Sequence, residues 1–422
     1  MAYSPSHPGA LGLPDLPRPA SARLARVELL LVALTVFLAP INYLRAEFAY
    51  VTLSDLFAVL SLAVMVFRGT LPLYPFGRAS LMWYGSVFLL ILGLLLGSTV
   101  NGDLANGVEV VGQYCVALVL LPLLILCRPR FEMLLLIKVF VLSLVVVMLH
   151  GAYVIAYTPG DLRFVSRSGR LSSLIERENA AGALAAMGVV FTLWLYFIKE
   201  IRLFPLLLAL VPLGYGLLLT GSNTGFFLTA IGALTLAVLS GAPRILGGVV
   251  LCGVALLAVI VTWGELFLPE IFLKRVFGAL QTRSMSAAGT FDDRMFLIRE
   301  AFGITRDTLA IGLGANQYRL ISAHGAPVHS TYLLLLAEGG LISLLGHAGL
   351  LLASFHIGWP ALIDRRRRWM GVLTLTILLM FIMVQTGIAH VYARFWVVPW
   401  YLALSASLQG AGLRDSTRPE HR

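Results

Sequence analysis

In "APVHSTYLLLLAEGG", residues 326–340, the polar group His329-Ser330-Thr331 leads straight into four leucines, and Glu338 follows farther along. A neutral imidazole, with an ordinary pKa near 6.5, accepts a proton from a hydroxyl nucleophile at neutral pH. A titratable group at membrane depth is costly and marks a functional candidate. The second chemistry-bearing set is arginine. The stretch "TPGDLRFVSRSGRLSSLIER", residues 158–177, holds Arg163, Arg167, Arg170 and Arg177, and residues 265–330 hold Lys274, Arg275, Arg283, Arg294, Arg299, Arg306 and Arg319. The planar guanidinium fork suits bidentate contact with phosphate or carboxylate, so a phosphate ligand is the implied partner. The competing expectation for each arginine is an ion pair with Asp161, Glu176, Asp292, Asp293 or Glu300, or contact with lipid headgroups.

The elements that carry these residues must live in a membrane. The chain has 422 residues, 59% hydrophobic and 12% charged, with mean hydropathy +0.89. No soluble fold hides that much apolar surface. Apolar runs of about 17 to 25 residues cross the hydrocarbon, and about 12 are expected here. They cover 28–44, 48–67, 81–99, 108–127, 131–157, 178–198, 203–219, 223–240, 245–264, 331–355, 369–388 and 395–410. The fold class expected is therefore an all-α integral membrane protein, with helices 1–9 in 28–264, a long loop at 265–330 and helices 10–12 in 331–410. Asp55 and Lys138 fall within expected spans and count as intramembrane charges, each near a span end or able to pair within the bundle.

The net charge of +10 would point toward nucleic acid in a soluble protein; here it has another origin. Arg and Lys fall on alternate connections: the first 27 residues; Arg68 and Arg78; Arg128 and Arg130; Lys199 and Arg202; Arg244; Arg365 to Arg368; and the tail with Arg414, Arg418 and Arg422. The positive-inside rule makes these connections cytoplasmic. It places both the 1–27 segment and the 411–422 tail inside, in agreement with an even helix count. The first span reads as a retained helix. Cys115, Cys127 and Cys252 lie in or at the ends of spans, so neither a disulfide framework nor a cysteine metal site is expected.

Two outer segments defy the charge rule: 158–177 and the long loop. In the latter, "TFDDRMFLIREAFGI", residues 290–304, has Thr290 three residues before Asp293 in a capping-box pattern. Phe291, Met295, Ile298 and Phe302 recur at helical spacing, which predicts a short amphipathic helix on the outer surface or against the bundle. Arg294 adjoins that stripe. "IGLGANQYR", residues 311–319, carries Gly312 and Gly314; a lone G-x-G with no strand before it predicts a turn.

Four stretches together resemble the bacterial O-antigen ligase and polymerase superfamily of membrane glycosyltransferases. They are "GRLSSLIERENAAG" (169–182), "TGSNTGFFLTA" (220–230), "DDRMFLIREAFGITRDTLAIGLGANQY" (292–318) and "HSTYLLLLAEGG" (329–340). Ser330 stands where the family commonly has Asn, and Asn223 where it commonly has Arg. The resemblance implies a glycan donor on undecaprenyl pyrophosphate at the periplasmic face of the inner membrane, and an acceptor hydroxyl on lipid A-core or another glycan. It implies His329 as general base, and Arg170 and Arg294 on the donor pyrophosphate. Neither metal nor cofactor is implied, since a pyrophosphate leaving group needs charge neutralisation and arginine forks supply it. Tyr332 shares the helix face of His329 and is a candidate for lining the acceptor site, against an interfacial aromatic anchor. Glu338, about 13 Å farther along the helix and on the opposite face, is not expected to touch His329. Ligase and repeat-unit polymerase share these motifs; the helix count and loop length lean toward ligase. From another class, a secondary transporter or flippase would show related halves and midplane acids, and no repeat between the halves is evident.

Overall fold

A computed structural model describes residues 19–46, 50–273 and 291–409. The described residues are mostly helical: α1 (Pro19–Leu38), α2 (Leu53–Arg68), α3 (Ser80–Val100), α4 (Leu104–Cys115), α5 (Leu121–Ile125), α6 (Arg130–Tyr157), α7 (Glu178–Phe197), α8 (Leu203–Thr220), α9 (Asn223–Ser240), α10 (Pro243–Phe267), α11 (Glu270–Phe272), α12 (Phe291–Thr308), α13 (Tyr318–Ile321), α14 (Thr331–Ile363), α15 (Arg368–Val384) and α16 (Arg394–Leu408). A two-residue antiparallel ribbon pairs Arg45–Ala46 with Val51–Thr52.

Among the described residues, eight helices are long and apolar enough to cross a membrane: Gly77–Val100, Leu104–Ile125, Arg130–Tyr157, Glu178–Phe197, Leu203–Thr220, Asn223–Ser240, Pro243–Leu266 and Thr331–Ile363. The molecule is an all-α multi-pass membrane protein. Helices α1, α2, α15 and α16 coincide with other expected spans but fall outside those eight.

The helix 104–125 is one apolar run with a defect in its middle. Pro122 has no N–H, and Leu121 donates back to Val116, so Val116–Leu120 form a π turn. The carbonyls of Ala117 and Leu118, released from the helix ladder, accept Tyr401 Oη (2.8 Å) and Trp83 Nε1 (2.9 Å). These two rings, with Phe76, Phe381 and Trp400, form the aromatic centre of the core. The released carbonyls thereby fix α3 and α16 to this helix.

The two ends of the bundle are built differently. At one, buried Glu28 accepts Arg128 at 2.6 Å and also pairs with Arg68, tying α1, α2 and the α5–α6 connection together. At the other, α7, α9, α14 and α16 begin and α3, α6, α8 and α15 end. Lys138, singled out as an intramembrane charge, pairs with Glu200 at 3.6 Å.

The amphipathic helix is present as α12, but its inward stripe differs from the expected one. Leu297 and Ala301 are buried, with Ile298 and Ile304 beside them, against Tyr318, Val328, Leu334 and Ala337; Phe302 is exposed. The helix packs on the mouth of α14, and that contact selects the face. Phe291 and Arg294 lie on its first turn, where the side chains fall outside the described residues.

Candidate functional site at the His329 end of the bundle

Helix α14 is not one helix. Gly340 has φ +66° and ψ −169°, a break within an otherwise apolar run. Breaking the ladder frees carbonyls at a depth where no water can satisfy them, and the cost has to be met by other backbone. The segment 309–314 meets it: Leu313 N–H donates to Ala337 O and Gly314 N–H to Glu338 O, both at 2.8 Å, while Leu341 N–H returns to Leu309 O at 2.8 Å. The contact is backbone on backbone. A Cβ on Gly312 would stand 2.2 Å from the Glu338 carbonyl carbon, and one on Gly340 would stand 2.5 Å from Ala310 O. The expected turn is present, with Gln317 N–H donating to Gly314 O at 3.3 Å, and the segment that leads into it also fills the break in the helix.

The Glu338 side chain continues that junction. Its carboxylate takes the backbone N–H of Tyr318 at 3.3 Å and that of Asn316, so a buried acid organises the start of α13. On the other side of α13, Glu300 of α12 accepts Tyr318 Oη (3.0 Å), Ser322 Oγ (2.8 Å) and the N–H of Ala323 (2.9 Å). Burial alone would raise the Glu300 pKa; these hydrogen bonds, with His324 nearby, outweigh it and hold the carboxyl below its ordinary value. Segment 309–323 is thus clamped between two carboxylates.

His329 is half-buried, directly before the α14 N-cap Ser330. The helix mouth that carries it is strapped to segment 385–393: Thr331 N–H donates to Gln385 O (2.9 Å) and Thr331 Oγ1 to Ile388 O (3.0 Å). Tyr332 Oη donates to Ile382 O at 2.9 Å and its ring meets His347 edge to face. That hydroxyl is therefore committed to the α14–α15 packing. His347, deeper in α14, bonds the Gln385 side chain.

Arg170 is buried among three helix ends. Its Nε donates to Thr220 O (2.8 Å) at the end of α8, and an Nη donates to Asn179 Oδ1 (2.7 Å) in the first turn of α7. Asn179 also accepts Ser222 Oγ of the α9 cap at 3.3 Å. Arg163 is spent on Asp161 at 2.7 Å, as the ion-pair expectation has it.

The residues that sequence reading missed lie in segment 385–393. Ala389 packs on the α12–α14 cluster that contains Tyr318, and His390 follows it. Burial, and then the positive charges of Arg177 and Arg319, push the His390 imidazole down to about 4. The segment is anchored at its far end by a buried pair: Arg394 donates to Asp55 at 2.5 Å, to Gln113 at 2.8 Å and to Tyr392 O at 3.1 Å. Asp55 is thus a structural partner at the His329 end. A histidine one turn before a helix carried no periodic signal, and its arginine neighbours are remote in sequence.

Fold and site together define a polytopic helical membrane protein with a histidine and several arginines gathered at one end of the bundle. Residues 207–348 match the model of a family described as O-antigen ligase, so the chain carries an O-antigen ligase region of the O-antigen ligase superfamily. That region, about a third of the chain, includes Arg294, Arg319, His329, Tyr332, Glu338 and Gly340, and leaves Arg170, Arg177 and His390 outside. No curated protein matches the chain.

Proposed function

We propose that the protein transfers a glycan from undecaprenyl pyrophosphate to an acceptor hydroxyl, on lipid A-core or a similar glycan, at the periplasmic face of the bacterial inner membrane. The family region supports the coarser statement, a glycosyltransferase-like enzyme of the O-antigen ligase and polymerase type. One observation carries the finer reading: His329 stands half-buried at the mouth of a broken helix, inside the matched region and away from the Glu28 cluster. In this reading about 12 helices span, both termini are cytoplasmic, and 265–330 is periplasmic.

His329 accepts the proton of the acceptor hydroxyl as its oxygen attacks the anomeric carbon. The bond from that carbon to the pyrophosphate oxygen breaks, and undecaprenyl pyrophosphate leaves with the electron pair. Attack opposite the leaving group inverts the anomeric centre. Arg170 and Arg294 neutralise the pyrophosphate, Arg170 from a position already fixed by Thr220 and Asn179. Tyr332 sits beside the acceptor path with its hydroxyl held by Ile382. The transporter alternative draws on broken helices. Here the carbonyls released at the α14 break are taken by Leu313 and Gly314 N–H, which leaves them committed to protein.

The test is complementation in a strain that makes undecaprenyl-linked O-antigen but lacks its own ligase. Wild type is expected to restore a glycan ladder on lipid A-core, and an equally expressed His329→Ala variant is expected to lose it. A ladder from that variant removes the general base. A wild type that extends only lipid-linked single repeats assigns the polymerase reaction in place of the ligase reaction.

A further inference from the structure

We propose that His347 is a positioning residue for His329: from the far side of the Gly340 break it locks Gln385 and the Tyr332 ring, and through them the helix mouth on which His329 stands. The role of His329 in transfer rests on the proposed function; the coupling between His347 and the mouth does not.

The break brings these residues together. A straight helix advances 1.5 Å per residue, so Tyr332 and His347 would lie about 22 Å apart along one axis. Their ring centroids are 5.9 Å apart, edge to face. The two arms of α14, 331–339 and 341–363, are therefore far from collinear, and the chain turns between them at Gly340.

Both arms meet the same residue. Gln385, wholly buried at the end of α15, accepts the Thr331 N–H on its backbone carbonyl at 2.9 Å, while its side-chain Oε1 accepts from His347 Nε2. Thr331 lies two residues after His329, and its hydroxyl donates to Ile388 O at 3.0 Å. Tyr332 closes the other side, with its hydroxyl on Ile382 O at 2.9 Å and its ring on His347. The mouth thus hangs on segment 382–388, and His347, 1% exposed, touches that segment and the mouth at once.

The bond has no substitute nearby. Gln385 Nε2 and His347 Nδ1 are buried with no hydrogen-bond partner among the described residues. Losing the imidazole would leave the whole Gln385 amide unpaired in an apolar interior, a state unfavourable enough to move the backbone that carries it. The carbonyl that moves is the one that holds Thr331. A catalytic group is sensitive to such a shift, since misplacement by ~1 Å costs up to about 100-fold in rate. In this role His347 neither touches the substrate nor moves a proton.

The experiment uses the purified full chain in nanodiscs, as His347→Leu, Gln385→Leu, the double variant, and His347→Gln, whose amide offers the same donor. Two quantities are read: hydrogen exchange of the peptide containing Thr331, and steady-state transfer of a repeat unit from undecaprenyl diphosphate to lipid A-core. His347→Leu is expected to speed exchange at Thr331 about 10-fold. It is expected to lower kcat about 10-fold or more with the donor KM within about twofold, the pattern of lost transition-state geometry rather than lost binding. Gln385→Leu should match it, and the double variant should be no worse than either single change, because both act through one bond. His347→Gln should recover most of kcat. A His347→Leu protein that does not fold leaves the same two readings to Gln385→Leu. A lowered unfolding midpoint with kcat per folded molecule unchanged would make the pair purely structural and overturn the proposal. Unchanged exchange at Thr331, or additive losses in the double variant, would overturn it too. Faster Thr331 exchange in variants of a protein whose wild type transfers no glycan keeps the coupling and rejects the transferase reading.

Discussion

The carboxylate of Glu338 accepts the backbone N–H of Tyr318 at 3.3 Å, from within α14 to the start of α13. An acid buried in an apolar helix is thereby given partners: it satisfies the N–H groups of Asn316 and Tyr318 that the inserted segment brings into the bundle, with the Arg319 charge nearby. Glu338→Leu is expected to orphan both donors, at about 1–3 kcal/mol each, and to displace Arg319. Glu338→Gln keeps a carbonyl acceptor of the same reach and is expected to cost much less. Thermal unfolding in detergent checks the ordering; equal midpoints for Leu and Gln would show that the bond does not hold the junction.

Gly340 gives a sharper test of the break. Its φ of +66° is unfavourable for any residue with a Cβ, and the added carbon would meet Ala310 O at 2.5 Å. Gly340→Ala is expected to destabilise the protein by about 1–3 kcal/mol, the usual cost of such backbone strain, and to loosen segment 309–314. Faster hydrogen exchange at Leu313 and Gly314 would report it, whereas a stable variant with unchanged exchange would mean that α14 can run straight.

The polar knot at His329 was legible because a titratable group before a leucine run is conspicuous, and α12 was legible from its 3.6-residue period. The inward face of α12 was legible only in part: Ile298 does pack inward, but Phe302 is as apolar as Leu297 and Ala301, and the Tyr318 and Val328 contacts decide between them. The break at Gly340 is silent in hydropathy, since the residues on both sides are apolar. "AEGG" and "IGLG" each read as an ordinary glycine pair until they are placed against one another. The Arg177 and Arg319 charges that act on His390 come from parts of the chain remote in sequence, and no local pattern records that.

His390 gives the fold an acid-sensitive point. Its folded pKa, at about 4, lies below the ordinary value near 6.5, so between those values the unfolded chain binds more protons than the folded one. Stability contributed by the neutral imidazole is complete above pH 6.5 and falls as pH drops toward 4. Glu300, whose pKa is also held down, acts in the same direction, so wild type must be compared with His390→Gln. The variant's unfolding midpoint is expected to decline less between pH 7 and pH 5. Parallel declines would place the acid sensitivity elsewhere.

The Asp55–Arg394 pair separates structure from catalysis at the same end of the bundle. Both groups are buried, at 5% and 4% exposure, and Arg394 also bonds Gln113 and the carbonyl of Tyr392, which leads directly into the His390 segment. Removing one partner leaves the other charge uncompensated, and Asp55→Ala is expected to cost about 3–5 kcal/mol. Replacing both, as Asp55→Leu with Arg394→Met, removes the stranded charge and is expected to recover most of that loss. Stability and transfer should then part company. The double variant is expected to fold yet to transfer glycan poorly, because the Tyr392 carbonyl loses its donor and His390 its anchored position. A double variant as active as wild type would show that segment 385–393 is held well enough by its bonds to Thr331 and His347 and the packing of Ala389.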